Sequence, residues 1–336
     1  MSIVRWGLLS TAMINHRVIP AIQASKRGKL VAVASRNQET ANAYAANWNI
    51  PHAFGSYEAM LDSDMVDAVY ISLPNHLHAE WSIRAMKSGK HVLCEKPIAL
   101  TVADVDYMIS ARKATGRVLA EALMYRHHPQ TKLVGELVKD GRLGDIVLIR
   151  GVFNFIIHER QNIRLNPEYG GGSLWDVGIY PISFAQYIME MPPSSVCGVQ
   201  WVGGTGVDET FAGQLVYPHI SNKPSTSKVQ IAHIMTSLRS PLYTVVEILG
   251  TKGRIIIRQP FIRMEEDRKM AFFSENGKEI KISLPKQELY LGEIEDMHSA
   301  ILDGTSTYIT LEESRNYVRT IAALYQSAQT QRNIAL

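Results

Sequence analysis

Ile3-Val4-Arg5-Trp6-Gly7-Leu8-Leu9-Ser10-Thr11-Ala12-Met13-Ile14-Asn15 opens the chain with an apolar run, a turn of small and hydroxyl residues, and then apolar residues at helical spacing. The stretch reads as strand, turn and helix start. At such a unit a helix N-terminus offers N–H groups and partial positive charge to a dinucleotide pyrophosphate. Aligned on G-x-G-x-x-G, the glycine positions hold Ser10, Ala12 and Asn15, so the strict fingerprint is absent. Small Ser10 and Ala12 still permit close backbone approach. An ordinary strand-to-helix turn with a hydroxyl cap at Ser10 or Thr11 fits the same residues equally well.

The alternation along the first third of the chain weighs for the dinucleotide turn. Short β-branched runs at 3–9, 29–34, 66–73, 91–94 and 117–120 alternate with helical spacing at 12–24, 38–48, 77–88 and 101–114, with Gly28, Gly89 and Gly116 near helix ends. This pattern predicts a doubly wound parallel sheet. After Leu143-Gly144-Asp145 the runs become strand-like at 146–157, 196–202, 210–217, 228–238, 244–249 and 254–257, with helices at about 172–189 and 311–329. The second sheet is therefore expected to be mainly antiparallel, and Ser221 to Lys228 reads as a hairpin loop. The expected fold class is α/β: an N-terminal Rossmann domain over 1–122, and a C-terminal α/β domain over 123–336 with a large open sheet.

Composition narrows the function. At roughly 150 residues per domain, a chain of 336 residues accommodates two cores. Hydrophobic residues at 46% and charged residues at 20% fit a folded chain, and a net charge of +3 is too small to mark a nucleic-acid or anionic-membrane surface. Cys94 and Cys197 are too few for a disulfide framework, and no apolar run approaches ~20 residues. No signal-type segment opens the sequence. The expectation is a cytoplasmic protein without nucleic-acid or membrane partners.

Two strand ends carry chemistry. The second ends in Ala34-Ser35-Arg36-Asn37, where a fold specific for NAD usually places a carboxylate against the adenosine ribose. Ser35 and Arg36 instead suit a 2′-phosphate, favouring NADP over NAD. Another strand ends in Glu95-Lys96-Pro97, a charged pair at the sheet edge where ligands of such folds bind. Taken alone, that pair reads more simply as a solvated surface pair.

The runs Pro74-Asn75-His76-Leu77-His78, Gly89-Lys90-His91-Val92 and Glu95-Lys96-Pro97 together resemble the Gfo/Idh/MocA family of nicotinamide-dependent oxidoreductases. The resemblance continues through Arg126-His127-His128-Pro129, residues 170–180 (GGGSLWDVGIY) and Gly250-Thr251-Lys252-Gly253-Arg254. It implies cofactor contacts at Ser10, Thr11, Ala12, Met13, Ile14, Ser35, Arg36, Leu73, Asn75, His78, Glu95 and Lys96. The family counterpart of Pro97 often follows a cis peptide. Glycine commonly stands where Ser10 or Ala12 does, so this turn departs from the family pattern. The resemblance also implies a second-domain sheet with one face over the active site and the other often forming a subunit interface, hence a homodimer or homotetramer.

The implied reaction exchanges a hydride between nicotinamide C4 and a secondary alcohol or carbonyl of a sugar, polyol or trans-diol, with Lys96 and Tyr180 in proton transfer. Free lysine titrates near ~10.4, so partial desolvation and a positive nicotinamide ring are needed to lower it. Tyrosine at position 180 resembles the dihydrodiol dehydrogenase, D-xylose dehydrogenase and glucose–fructose oxidoreductase branch; inositol dehydrogenases frequently carry histidine there. Asp176, four residues earlier, suits hydroxyl binding or a helix-dipole charge. Arg164 suits a substrate or cofactor contact, or an ion pair with Glu159 or Glu168. His76, His78, His127 and His128 lack evident partners for a metal site, and Cys94 reads as a packing residue. The alternatives are a non-catalytic NAD(P)-binding regulator and an NAD-dependent inositol or deoxysugar dehydrogenase.

Overall fold

The computed structural model describes residues 2–218, 229–262, 269–274, 277–284 and 286–336. They divide into two compact units: 1–127 with 288–315, and 128–287 with 316–336. Residues 221–228, read as a hairpin loop, lie outside the described residues.

In the first unit, β1 (Val4–Leu9), β2 (Gly28–Ala34), β3 (His52–Phe54), β4 (Ala68–Ile71), β5 (His91–Glu95) and β6 (Leu119–Ala122) form a six-stranded sheet in the order β3-β2-β1-β4-β5-β6, all parallel. The order reverses beside β1, as a doubly wound sheet requires. The connecting helices are α1 (Asn15–Ala24), α2 (Gln38–Trp48), α3 (Tyr57–Leu61), α4 (His78–Lys87) and α5 (Val102–Thr115). Helices on both faces explain the unbroken apolar runs: Leu8, Leu9, Ala32, Val33, Val69 and Ile71 are wholly buried. Three-residue β3 and five-residue α3 are too short to show a period in the sequence.

Caps set the helix ends. The Asn37 side chain accepts from Thr40 N, that of Thr101 accepts from Asp104 N, and Gly116 closes α5 in the left-handed conformation. Gly28, expected near a helix end, instead opens β2. A Cβ there would lie 2.7 Å from the ring of His298, whose Nε2 accepts from Trp6 Nε1 at 2.9 Å. His298 belongs to α9 (Leu291–Leu302), part of the late segment that returns to this unit.

The short helices α6 (Met124–His127) and α7 (Pro129–Lys139) precede the second sheet. Its strands are β7 (Ile146–Ile156), β8 (Ser195–Val202), β9 (Asp208–Pro218), β10 (Val229–Ser237), β11 (Arg239–Gly250), β12 (Gly253–Arg258), β13 (Lys269–Ser274), β14 (Glu279–Ser283) and β15 (Ile334–Ala335). Their order is β14-β13-β12-β11-β7-β10-β9-β8-β15, antiparallel throughout except for the parallel pair β7 and β10. The mainly antiparallel second sheet is thus as expected. The helix anticipated at about 172–189 is a π-helical turn, Leu174–Gly178, continued by α8 (Ile179–Met189). The last helix, α10, spans Leu311–Thr330.

Strand alternation gives this sheet two unlike faces. Ile149, Phe153, Phe211, Leu215, Ile234, Val246 and Ile248 are buried inward. Outward, register aligns Val199, Ala212, Met235, Val152 and Val245 in one row. A groove of about 520 Å³ lies on that outer face, lined by Arg150, Val152, Tyr243, Val245, Glu247 and Arg258.

The fold makes one histidine a pH-dependent element. His91 Nδ1 accepts from Val118 N at 2.9 Å, and burial, then the Arg117 charge, push its pKa down to about 4. An unfolded imidazole titrates near ~6.5, so this stability is complete above that pH and is lost as pH falls towards 4. Across that window the thermal midpoint of His91→Gln should fall less steeply than that of the unsubstituted protein. Parallel slopes in calorimetry would contradict this. The slope should flatten only in part, because burial also lowers His78 and His298.

Candidate active site

The turn after β1 works without its glycines. Ser10 holds φ +145°, a backbone region that favours glycine. Hydrogen bonds fix it there: Ala12 N donates to Ser10 Oγ at 3.1 Å, Ser10 Oγ lies 2.7 Å from Ser72 Oγ, Ser72 Oγ donates to Asn15 Oδ1 at 2.7 Å, and Asn15 Nδ2 donates to Ser10 O at 2.8 Å. Asn15, at the third glycine position, is wholly buried. No side chain caps α1 and no carboxylate lies in its first turn. Thr11, Ala12 and Ile14 are half-buried, and Met13 is exposed beside them. The turn thus presents a positive helix end and small side chains to solvent, an arrangement that fits a dinucleotide diphosphate.

At the next strand end, Ser35 N donates to Phe54 O at 3.0 Å and the Arg36 side chain is exposed. The Tyr57 hydroxyl engages the Arg36 guanidinium, and its ring stands edge-on to Trp81 at 5.0 Å.

Across the sheet, the ends of β4 and β5 are braced together. His78 is 1% exposed, with Nδ1 2.7 Å from Pro97 O and Nε2 2.8 Å from Leu73 O. These contacts tie the buried Leu73 to the Lys96–Pro97 turn, whose peptide is cis. Asn75 opens a 3-10 turn, Asn75–Leu77, between them. Glu95 accepts from the Tyr70 hydroxyl and from Lys96 N, the latter at 3.2 Å, and Lys96 is half-buried. Beneath this tip Glu121 Oε1 accepts from Ile98 N at 2.8 Å; burial pushes the Glu121 carboxyl up to about 7, and Glu95 adds to the rise while Lys96 opposes it. Ser10 to Ile14, Ser35, Arg36, Leu73, Asn75, His78, Glu95 and Lys96 thus gather along one carboxyl edge of four adjacent strands.

Arg164, Asp176 and Tyr180 belong to the second unit. Arg164 Nε donates to Asp176 Oδ2 at 2.9 Å; the carboxylate is nearly buried. Arg164, for which the sequence leaves a substrate or cofactor contact and an ion pair with Glu159 or Glu168 as alternatives, forms an ion pair with Asp176. The interval from Asp176 to Tyr180 crosses from π to α pitch, so it is not an unbroken α-helical spacing. The Tyr180 ring packs against Phe153 at 5.2 Å and Phe261 at 5.4 Å on the inner sheet face.

Glu121, Tyr57 and Asp208 are absent from the sequence-based candidates. Glu121 left one readable signal, a carboxylate inside the apolar strand Leu119-Ala120-Glu121-Ala122. Cys94 is wholly buried, and burial raises its thiol far above the usual range, which suits packing. Among the described residues no three His, Cys, Asp or Glu side chains cluster as metal ligands, and no helix is long and apolar enough to cross a membrane.

Residues 4–123 match the description "Oxidoreductase family, NAD-binding Rossmann fold" of Gfo/Idh/MocA, and residues 131–256 match the Gfo/Idh/MocA C-terminal domain. The chain belongs to the Gfo/Idh/MocA oxidoreductase family. It is 34% identical to D-xylose 1-dehydrogenase (NADP(+)) 2 of Haloferax volcanii over 97% of both chains. It is 31% identical to trans-1,2-dihydrobenzene-1,2-diol dehydrogenase of Xenopus laevis over 84% of this chain and 81% of that one. A crystal structure of aldose-aldose oxidoreductase from Caulobacter crescentus complexed with glycerol superposes with a TM-score of 0.89 at 27% identity, covering 99% of this chain and 100% of that one. This family member is an NAD(P)-dependent dehydrogenase or reductase, and its first unit holds the NAD-binding Rossmann domain.

The Ser10–Ser72–Asn15 network should matter to both stability and cofactor binding. Asn15→Ala leaves the buried Ser10 carbonyl without its side-chain donor and takes one acceptor from the Ser72 hydroxyl, a loss of about 1–3 kcal/mol in unfolding free energy. NADPH titration by fluorescence should show weaker binding in the same variant, whereas unchanged affinity would separate the network from the cofactor turn.

Proposed function

We propose that this oxidoreductase moves a hydride between nicotinamide C4 and a secondary alcohol, or its carbonyl, on a sugar, polyol or trans-diol, with NADP preferred over NAD. The observation that carries the reading is the carboxyl edge of the first sheet: an uncapped helix end after β1, an arginine at the β2 tip and a lysine at the β5 tip lie along the run β2-β1-β4-β5. The glycine-type turn from Ser10 to Ile14 takes the diphosphate. Ser35 and Arg36 take the 2′-phosphate through charge-assisted hydrogen bonds, and Tyr57 keeps the guanidinium oriented. Leu73, Asn75, His78 and Glu95 shape the nicotinamide end, with His78 acting as a brace. The domain assignment follows: the N-terminal residues 1–122 bind the dinucleotide, and 123–336, apart from residues 288–315 that fold with the first unit, supply substrate recognition and oligomerisation.

The bound nicotinamide supplies or accepts the hydride. Lys96 and Tyr180 are the groups assigned to proton transfer, Tyr180 taking the substrate hydroxyl proton in oxidation and returning it in reduction. Asp176 accepts hydrogen bonds from neighbouring hydroxyls, and Arg164 holds that carboxylate in position. The 34% identity to a D-xylose dehydrogenase and the 31% identity to a trans-diol dehydrogenase support this substrate class. Cys94 and Cys197 are both free thiols, in keeping with a cytoplasmic enzyme.

Lys96→Ala and Tyr180→Phe should each slow turnover about 1,000-fold while NADPH binding stays measurable. The assay is nicotinamide absorbance across an aldose, polyol and trans-diol panel with both coenzymes. Normal rates in both variants would overturn the assignment. A chain that binds NADPH yet turns over nothing would be a sensor. Arg36→Ala should raise KM for NADP+ by about 10-fold or more and leave that for NAD+ nearly unchanged.

The outer face of the second sheet is proposed as the contact with a second copy of the chain, giving a homodimer or homotetramer. Its occupant is inferred from the outward apolar row of Val199, Met235, Val152 and Val245, flanked by the ion pair of Arg150 with Glu247, a mainly apolar strip that suits a self-complementary surface. Val152→Glu should sediment as a monomer in analytical ultracentrifugation. An unchanged oligomer would place the interface elsewhere.

A further inference from the structure

We infer that Asp208 is a positioning residue for the substrate-binding turn, clamping the π-helical segment that carries Asp176 and leads into Tyr180. The inference rests on the reading that Asp176 and Tyr180 act on the substrate. It adds a residue from a different strand, β9, and a hydrogen-bonded device that holds both in place.

Asp208 opens β9 and is 3% exposed. Its carboxylate accepts from three donors. Ser173 Oγ donates to Oδ2 at 2.6 Å, Leu174 N donates to the same oxygen at 2.9 Å, and Tyr325 Oη donates to Oδ1 at 2.5 Å. Ser173 Oγ also lies 2.9 Å from Thr236 Oγ1 in the core of β10. The three donors come from the two residues that begin the turn and from α10. One carboxylate therefore pins the start of the turn to the sheet and to the last helix at once.

The local backbone needs such a clamp. Gly172 sits at φ +120°, and a Cβ there would strike Asp208 Oδ1 and the Tyr325 hydroxyl, so the carboxylate occupies the space a side chain would fill. Asp176 N donates to Gly172 O at 3.0 Å, and the next residues wind with π pitch before α8 begins. A π turn has poorer intrinsic stability than an α turn and is frequently retained at functional sites. Here it survives because its first N–H, at Leu174, is satisfied by an anion. The phase of α8, and with it the placement of the Tyr180 ring against Phe153 and Phe261, is set by where the turn starts. Burial raises the Asp208 pKa above the usual carboxylate range, and the donors Ser173, Tyr325 and Leu174 N offset part of that rise.

An acceptor-only carboxylate satisfies all three donors; an amide of the same shape turns an N–H towards at least one of them. Asp208→Asn tests the clamp, and Tyr325→Phe removes one donor more gently in case the first variant folds poorly. Hydrogen exchange, which needs no substrate, should accelerate by about 10-fold or more across 172–180 in Asp208→Asn and by less in Tyr325→Phe, with the Rossmann strands unchanged. Kinetics with the best substrate of the panel should show kcat about 10–100-fold lower and KM for NADP+ unaltered. In a Tyr180→Phe background the same Asp208→Asn change should cost clearly less than in the unsubstituted protein, the remainder being the part that passes through Asp176. Unchanged exchange across 172–180 in both variants overturns the clamp. A full and additive kinetic loss in the Tyr180→Phe background overturns its action through Tyr180. Wild-type turnover in Tyr180→Phe alone overturns the proposed chemistry instead, and exchange still judges the clamp.

Discussion

Parallel strands can only be joined by crossing back over the sheet, and that constraint decides where chemistry happens in the first unit. Each strand must end on the same edge and hand its chain to a turn there. Four such ends bring the Ser10 turn, Arg36, His78 and Lys96 into one row, although they are spread over almost ninety residues of sequence. None of these side chains needs long-range packing to find the others. The strand order alone does it, with the brace from His78 to Leu73 and Pro97 fixing the final spacing between two tips.

How much of this was legible depends on the type of signal. Buried parallel strands announce themselves as apolar runs, so β1, β2, β4, β5 and β6 were readable, whereas β3, with the three residues His-Ala-Phe, was not. In the second unit, alternation exposed β7 to β12, but the parallel pairing of β7 with β10 has no local signature, since pairing direction depends on what lies between strands. The return of 288–315 to the first unit was equally hidden, because α9 shows the same amphipathic period wherever it docks. The π pitch at Leu174–Gly178 could not be seen for a related reason: its cause, the Asp208 carboxylate, lies thirty-odd residues downstream.

The candidate site divides along similar lines. Residues that touch ligands carry functional groups at strand tips, and their positions can be reasoned from topology. Those that hold them carry the same groups inside the fold. Glu121 and Asp208 are carboxylates that ordinary composition arguments assign to the surface, yet both are buried with backbone N–H groups donating to them, from Ile98 and Leu174. In each case the anion stands in for a regular hydrogen-bonding pattern that an irregular turn cannot complete. Ser10 makes the complementary point: glycine is the simplest solution to its backbone geometry, but a hydroxyl wired to Ser72 and Asn15 is another.

The parallel seam between β7 and β10 also dictates an order of assembly. β7 is finished at Ile156, but its two neighbours are β10, which begins at Val229, and β11, which ends at Gly250. During synthesis both edges of the central strand of this nine-stranded sheet must wait, unpaired, for some seventy further residues to leave the ribosome. Closing so long a loop is slow, and open edges invite pairing with other chains. The second unit therefore passes through a nascent stage in which its most central strand is its most adhesive, and the meander of β8 and β9 is already synthesised when that strand is enclosed.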